Sequence, residues 1–195
     1  IIISLFIFFI ISFISIYSAS MYLSDSLGRL YYKQLFWYII GFICIILFNK
    51  VSIRTLYKYS FFIYFVNILF LIGLLLFVPS INGSKSWYLI YGIGSVQPSE
   101  FMKISLILVN SYVIYSFYKK ENILSLKREF VLIIYILLLL IVPVILTFLQ
   151  PDTGAVIVYF VISFSMLYSS GISKKWFVIV FSLLFIFLLV FFYLY

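Results

Sequence analysis

Three charged side chains sit within or at the start of long apolar runs: Glu100, Lys103 and Asp152. Charge is costly at membrane depth and is normally turned toward protein or a polar cavity, so such residues are candidates for function. Glu100 and Lys103 are spaced i, i+3, which puts them on one helical face, and Asn110 continues that face about two turns further on. The spacing predicts a buried ion pair on a polar stripe that faces protein, either locking the helices together or touching a substrate. For a buried pair, removing one partner costs about 3 to 5 kcal/mol.

Two further groups precede these residues. The stretch Asn82-Gly83-Ser84-Lys85-Ser86-Trp87 begins with a tight-turn signal and ends with a cation and an indole. It reads as an interfacial anchor or as a binding surface: pyranose faces stack on indole, and a lysine binds phosphate as a point charge. The two glycines of Tyr91-Gly92-Ile93-Gly94-Ser95 favour a folded re-entrant or strand-like segment over a simple tether. Gln97-Pro98-Ser99-Glu100 is echoed by Gln150-Pro151-Asp152-Thr153-Gly154, each with a proline expected at the first helical position and an acid within two residues. Free amides and positive dipole ends at such helix starts suit an anionic ligand. The carboxylates could bind sugar hydroxyls, a cation or Lys103, or simply cap their own helices.

The elements that position these residues are set by composition. Of 195 residues, 67% are hydrophobic and 9% charged, far from the balance of a soluble domain. At about 20 residues per membrane-spanning helix, the apolar runs near 1–18, 34–49, 59–78, 98–118, 130–149, 154–170 and 176–195 predict an all-α, polytopic transmembrane bundle. Ser18-Ala19-Ser20 could pass for a signal-peptidase site, but the run before it is too long for a signal h-region and reads as the first span. With no linker or repeat between runs, residues 1–195 are expected to form a single integral membrane domain.

Charge sets the orientation. Lys50, Arg54, Lys58, Lys119, Lys120, Lys127, Arg128, Lys174 and Lys175 fall in loops on one side, against Arg29, Lys33 and Lys85 on the other. The positive-inside bias places the N-terminus in the cytoplasm and Tyr195 outside, and the +8 net charge is explained without nucleic acid. Cys44 has no second cysteine to pair with, and the absence of histidine argues against a zinc site. The 24 Phe and 18 Tyr are spread through every span and read as lipid-facing surface.

At these motifs the sequence resembles the SEDS family of bacterial envelope proteins (shape, elongation, division and sporulation), whose branches include RodA, FtsW and SpoVE. The resemblance rests on Asn82 to Trp87, on Gln97-Pro98-Ser99-Glu100-Phe101-Met102-Lys103, on Gln150 to Gly154 and on Ile16-Tyr17-Ser18-Ala19-Ser20. Phe101-Met102-Lys103-Ile104 leans toward the RodA branch. It implies a peptidoglycan glycosyltransferase of cell-shape maintenance or division, which polymerises lipid II outside the membrane beside a class B penicillin-binding protein. It also implies a ten-helix fold with a catalytic acid in a loop after the seventh helix, hence beyond Tyr195. The chain begins at Ile1 rather than Met and is expected to be a fragment, inactive alone. No catalytic residue is assigned within it. Lys85, Trp87, Glu100, Lys103 and Asp152 are the expected substrate-binding residues; no cofactor is inferred, and a divalent cation is left open. The rival readings are a flippase or transporter of lipid-linked precursors, and a non-catalytic scaffold of the cell-wall machinery. A transport path needs polar groups near the midplane, whereas Glu100, Lys103 and Asp152 lie near the ends of their helices.

Overall fold

The computed structural model describes residues 2–20, 30–80, 83–90, 94–119, 121 and 123–194. Arg29, Asn82, Tyr91, Gly92, Ile93, Lys120 and Tyr195, which carried parts of the motif and charge readings, lie outside the described residues. The described chain forms seven helices, α1 (Ile2–Ser20), α2 (Leu30–Phe48), α3 (Ile53–Phe77), α4 (Pro98–Tyr118), α5 (Leu126–Phe148), α6 (Thr153–Ser169) and α7 (Lys175–Leu194). Between α3 and α4 lie two short strands, β1 (Tyr88–Ile90) and β2 (Gly94–Val96).

Each apolar run becomes one helix, but several begin earlier than hydropathy alone predicts. Helices α2, α3 and α5 start at Leu30, Ile53 and Leu126 rather than near 34, 59 and 130. Lysine and arginine are good helix formers and can extend their charged heads to the interface while their stems stay with the helix. Lys33, Arg54, Lys58, Lys127 and Arg128 therefore join the first two turns of helices where hydropathy had left loops. Helices α1 to α5 are long and apolar enough to cross a membrane, and α6, with 17 residues, is at the short end of the spanning range of about 17 to 25. The protein is a multi-pass membrane protein with a helical bundle fold.

By contacts the chain divides into two compact units, Ile1–Ile53 and Arg54–Tyr195. In the first, α1 and α2 pack as a pair. Gln34 Nε2 donates to Ser12 Oγ at 2.9 Å, and Phe9 meets the edge of Tyr38 with centroids 4.8 Å apart. Such a bond joins two apolar helices where water is absent. In the second unit, α3, α4, α5 and α6 meet around Tyr64, Leu71, Met102, Leu106, Val109, Leu140 and Tyr159. A second cluster of Val113, Leu132, Ile136, Leu167 and Phe177 brings in the start of α7. Glu129, buried in the first turn of α5, accepts from Ser173 N at 3.0 Å and Trp176 Nε1 at 2.8 Å, tying α5 to the α6–α7 connection.

Of the stretch read as re-entrant or strand-like, Gly94 and Ser95 lie in a strand, while Tyr91, Gly92 and Ile93 lie outside the described residues. β1 and β2 pair antiparallel, with Tyr88 opposite Val96 and Ile90 opposite Gly94. Tyr88 reaches into α3 and donates to Phe70 O at 2.9 Å. That approach needs Gly73, where a Cβ would stand 2.5 Å from the Tyr88 hydroxyl.

Prolines impose the bundle's other constraint. A proline lacks an N–H, so the carbonyl four residues earlier loses its helical donor. Pro143 lies inside α5 and frees Leu139 O, which accepts instead from Tyr64 OH of α3 at 2.8 Å. Pro79 stands four residues after Leu75, whose carbonyl accepts from Lys85 Nζ at 3.1 Å. Pro151 stands four residues after Thr147, whose carbonyl accepts from Gln150 N at 3.1 Å and Asp152 N at 3.3 Å. Replacing Tyr64 with Phe should therefore destabilise the full-length protein in detergent by about 1 to 2 kcal/mol, the cost of a stranded buried acceptor. In a Pro143→Leu background, where the helix supplies its own donor, thermal unfolding should show Tyr64→Phe to be nearly neutral.

Candidate functional site

The polar residues converge at one end of the second unit, where α3 and α5 finish and α4 and α6 begin. Asp152 is the junction. Its Oδ1 accepts from Ala155 N at 3.1 Å and so caps α6, while Oδ2 accepts from Gln97 Nε2 at 2.8 Å and Ser99 Oγ at 3.1 Å. One carboxylate thus satisfies its own helix N-terminus and fastens the start of α4 beside it. The two Gln-Pro motifs differ here: Pro98 lies in the first turn of α4, whereas Pro151 precedes the cap of α6.

A second tie lies alongside. Tyr159 OH of α6 donates to Ser99 O at 3.1 Å and accepts from Thr147 Oγ1 at 3.4 Å. Gln150, fully buried, donates from Nε2 to Leu71 O of α3 at 3.0 Å. Its main-chain carbonyl at the end of α5 accepts from Ser84 Oγ at 2.9 Å and Ser86 Oγ at 3.3 Å. The 84–86 stretch is therefore seated on the end of α5, with Lys85 satisfying the end of α3. Trp87 follows with 43% of its surface exposed. The sequence reading quoted Gln97, Ser99, Ser84, Ser86 and Gln150 as parts of motifs without assigning them bonds, and passed over Tyr64, Thr147, Tyr159 and Glu129.

Glu100 and Lys103 form the expected pair, with Lys103 Nζ 2.6 Å from Glu100 Oε1. The pair is not buried, which corrects the expectation of a polar stripe facing protein: the side chains are 57% exposed at Glu100 and 24% at Lys103. Gln97 and Ser99 already take the inner face of the first turn of α4 toward Asp152, and that leaves Glu100 turned outward. Asn110 does not extend the pair. It is buried between α4 and α6, where Nδ2 donates to Ser163 Oγ at 3.2 Å. Among the described residues, no three His, Cys, Asp or Glu side chains gather as a metal-binding group.

This arrangement separates fastening from exposure. Asp152, Gln97, Ser99, Ser84, Ser86 and Gln150 are committed to one another. Glu100, Lys103 and Trp87 are presented on the surface they support, a carboxylate, an ammonium and an indole able to meet hydroxyls, phosphate and a sugar face. Replacing Asp152 with Ala should lower stability by about 2 to 3 kcal/mol, combining a lost cap with stranded partners; Asn, which keeps the cap acceptor, should cost less. Glu100→Gln and Lys103→Met should each cost under about 1 kcal/mol, as for an open pair. Thermal unfolding of the four variants in detergent gives the comparison, and equal losses at Asp152 and Glu100 would contradict this division.

The chain also matches known proteins. The family model described as a cell cycle protein family, FtsW/RodA/SpoVE, covers residues 1–195. Over 192 residues, 94% of this chain and 48% of the relative, it is 29% identical to the probable peptidoglycan glycosyltransferase FtsW of Wigglesworthia glossinidia brevipalpis. It is 31% identical over 162 residues to the protein of that name from Borreliella burgdorferi, covering 80% of this chain and 42% of the relative. The fold is similar to that of the rod shape determining protein RodA of Thermus thermophilus, with a TM-score of 0.66 at 22% identity over 92% of this chain and 57% of RodA. It is similar also to a chain of a peptidoglycan synthase complex that coordinates polymerization and crosslinking, with a TM-score of 0.68 at 23% identity over 91% of this chain and 50% of the other. The chain spans under half the length of these curated relatives. Its end-to-end family match, on a bundle of the same fold, establishes that the chain belongs to the FtsW/RodA/SpoVE family of cell cycle proteins.

Proposed function

We propose that the protein containing this chain is a peptidoglycan glycosyltransferase that polymerises lipid II on the outer face of the bacterial membrane. In this reading Trp87, Glu100 and Lys103 meet the lipid-linked sugar and its pyrophosphate. Lys85 and Asp152 serve the same surface from beneath, through the helix ends and loop they hold. The observation that carries the reading is the Asp152 junction: it fixes two helix starts and a seated loop side by side, and leaves a carboxylate, an ammonium and an indole exposed. The relatives named as glycosyltransferases support the chemistry. The likeness to a chain of a peptidoglycan synthase complex supports a penicillin-binding protein as partner. This reading puts the catalytic base outside residues 1–195, since glycosyl transfer needs a base within hydrogen-bond reach of the attacking hydroxyl, and among the described residues Asp152 is held by three donors while Glu100 is paired with Lys103. The role is in cell-shape maintenance or division. Both branches occur among the matches, and Phe101-Met102-Lys103-Ile104 favours RodA.

The reading requires the Asp152 end to be external. The basic residues support this, since Arg54, Lys58, Lys119, Lys127, Arg128, Lys174 and Lys175 mark the opposite end of the second unit. In a Cys44→Ser background, Ser84→Cys in intact cells should react with a membrane-impermeant thiol reagent, and Ser125→Cys only after permeabilisation. The reverse result would remove the outer-face site.

Activity gives the second test. With labelled lipid II and the partner supplied, the full-length protein should form long glycan chains on a gel. Trp87→Ala and Glu100→Gln should each reduce them about tenfold or more while leaving thermal unfolding nearly unchanged. Residues 1–195 alone should form none. Long chains from that segment would move the catalytic assignment to Glu100 or Asp152, and undiminished polymerisation by both variants would remove the proposed substrate contacts.

A further inference from the structure

A cleft of about 400 Å³ lies on the surface of the second unit, at the end opposite the Asp152 junction. Here α3 begins and α4 and α6 finish. Its walls include Tyr57 from α3, Ser111 and Tyr115 from α4, and Ser165, Met166 and Ser169 from α6. Tyr57 and Tyr115 pack with ring centroids 5.3 Å apart, which makes the α3–α4 wall continuous. Hydroxyls on an otherwise apolar cleft between membrane helices would be wasted on a plain hydrocarbon chain, but they suit the polar shoulder of a lipid.

Charge lies at its mouth. Arg54 precedes Tyr57 by three residues and Lys119 follows Tyr115 by four, so each stands one turn outward from a lining residue on the same face of its helix. Both are exposed, and neither takes part in the two ion pairs formed among the described residues, Glu100 with Lys103 and Glu121 with Arg128. Basic pockets between membrane helices attract anionic lipid head groups, and the cleft's volume falls within the usual ligand range of about 300 to 1,000 Å³.

We propose that this cleft holds one anionic phospholipid, with its phosphate between Arg54 and Lys119, its glycerol region against the tyrosine and serine hydroxyls, and an acyl chain running past Met166. The cleft is too small for a whole two-chain lipid, so the remaining chain lies in the bilayer. The proposal does not depend on the polymerase reading.

The test uses native mass spectrometry of the full-length protein in detergent, titrated with phosphatidylglycerol or phosphatidylcholine. The protein should retain phosphatidylglycerol preferentially. Arg54→Gln with Lys119→Gln should weaken that binding about tenfold or more, whereas Lys127→Gln with Arg128→Gln, an equal charge change on α5, which contributes no residue to the cleft walls, should alter it less than about twofold. Ser165→Phe, which fills the cleft and keeps every charge, should weaken phosphatidylglycerol binding as well, and it decides the matter if the first pair fails to fold. Equal losses in the two double variants would mean diffuse attraction and overturn the site, as would unchanged binding by Ser165→Phe. In a Cys44→Ser background, Ser165→Cys should be protected from a lipid-soluble maleimide by phosphatidylglycerol and not by phosphatidylcholine. A cysteine blocked whatever lipid is present would show that another segment of the protein fills the cleft, and would also overturn the proposal.

Discussion

A backbone carbonyl inside an apolar layer has no water to turn to, and this constraint organises the second unit. Pro143, Pro79 and Pro151 each deprive an earlier carbonyl of its helical donor. The replacements come from elsewhere: Tyr64 on α3 for Leu139, Lys85 in the loop for Leu75, and the main chain at Gln150 and Asp152 for Thr147. In the first case the repair joins segments 75 residues apart in the chain. Helix association in lipid gains little from apolar burial alone, so bonds of this kind give the bundle a register that Leu and Ile contacts would leave loose.

The same logic explains how much of the fold could be read from residue types. Hydropathy located all the helices because spanning segments must be long and apolar, whatever their neighbours. It placed the starts of α2, α3 and α5 late, because a window average counts Lys33, Arg54 or Lys127 as loop when the backbone there is already helical. Gly94 signalled a strand-like segment, though the register of the β1–β2 pairing was not legible, since Tyr88 is positioned by the space that Gly73 leaves on another element. Proline offsets were a readable signal too: counting back four residues from each proline identifies the carbonyls in need of a donor. Which side chain would supply it depends on packing.

At the site, residue type was the better guide and spacing the poorer one. Glu100 and Lys103 do pair, but i, i+3 spacing cannot say which way a helical face points. That was settled by Gln97 and Ser99, whose attachment to Asp152 claims the inner side of the turn. Asp152 and Glu100 looked equivalent in their matching motifs. One is enclosed by three donors and the other is open, so similar sequence contexts yield a structural carboxylate and a presented one.

The Asp152 junction also carries information about time. Its two donors at the start of α4, the cap residue Gln97 and Ser99, precede it by 55 and 53 residues. Translation proceeds N-terminus first at about 5 to 20 residues per second, so a nascent chain carries the start of α4 for roughly 3 to 11 s before its anchor has been made. Ser84 and Ser86 wait longer still for the carbonyl of Gln150. During that interval the fourth helix can cross the membrane, but its first turn and the preceding loop stay unfastened at the wet interface. The surface bearing Trp87 and Glu100 is thus completed retroactively, by the arrival of the sixth helix, and a ribosome stalled between residues 100 and 150 would leave a membrane-inserted chain without it.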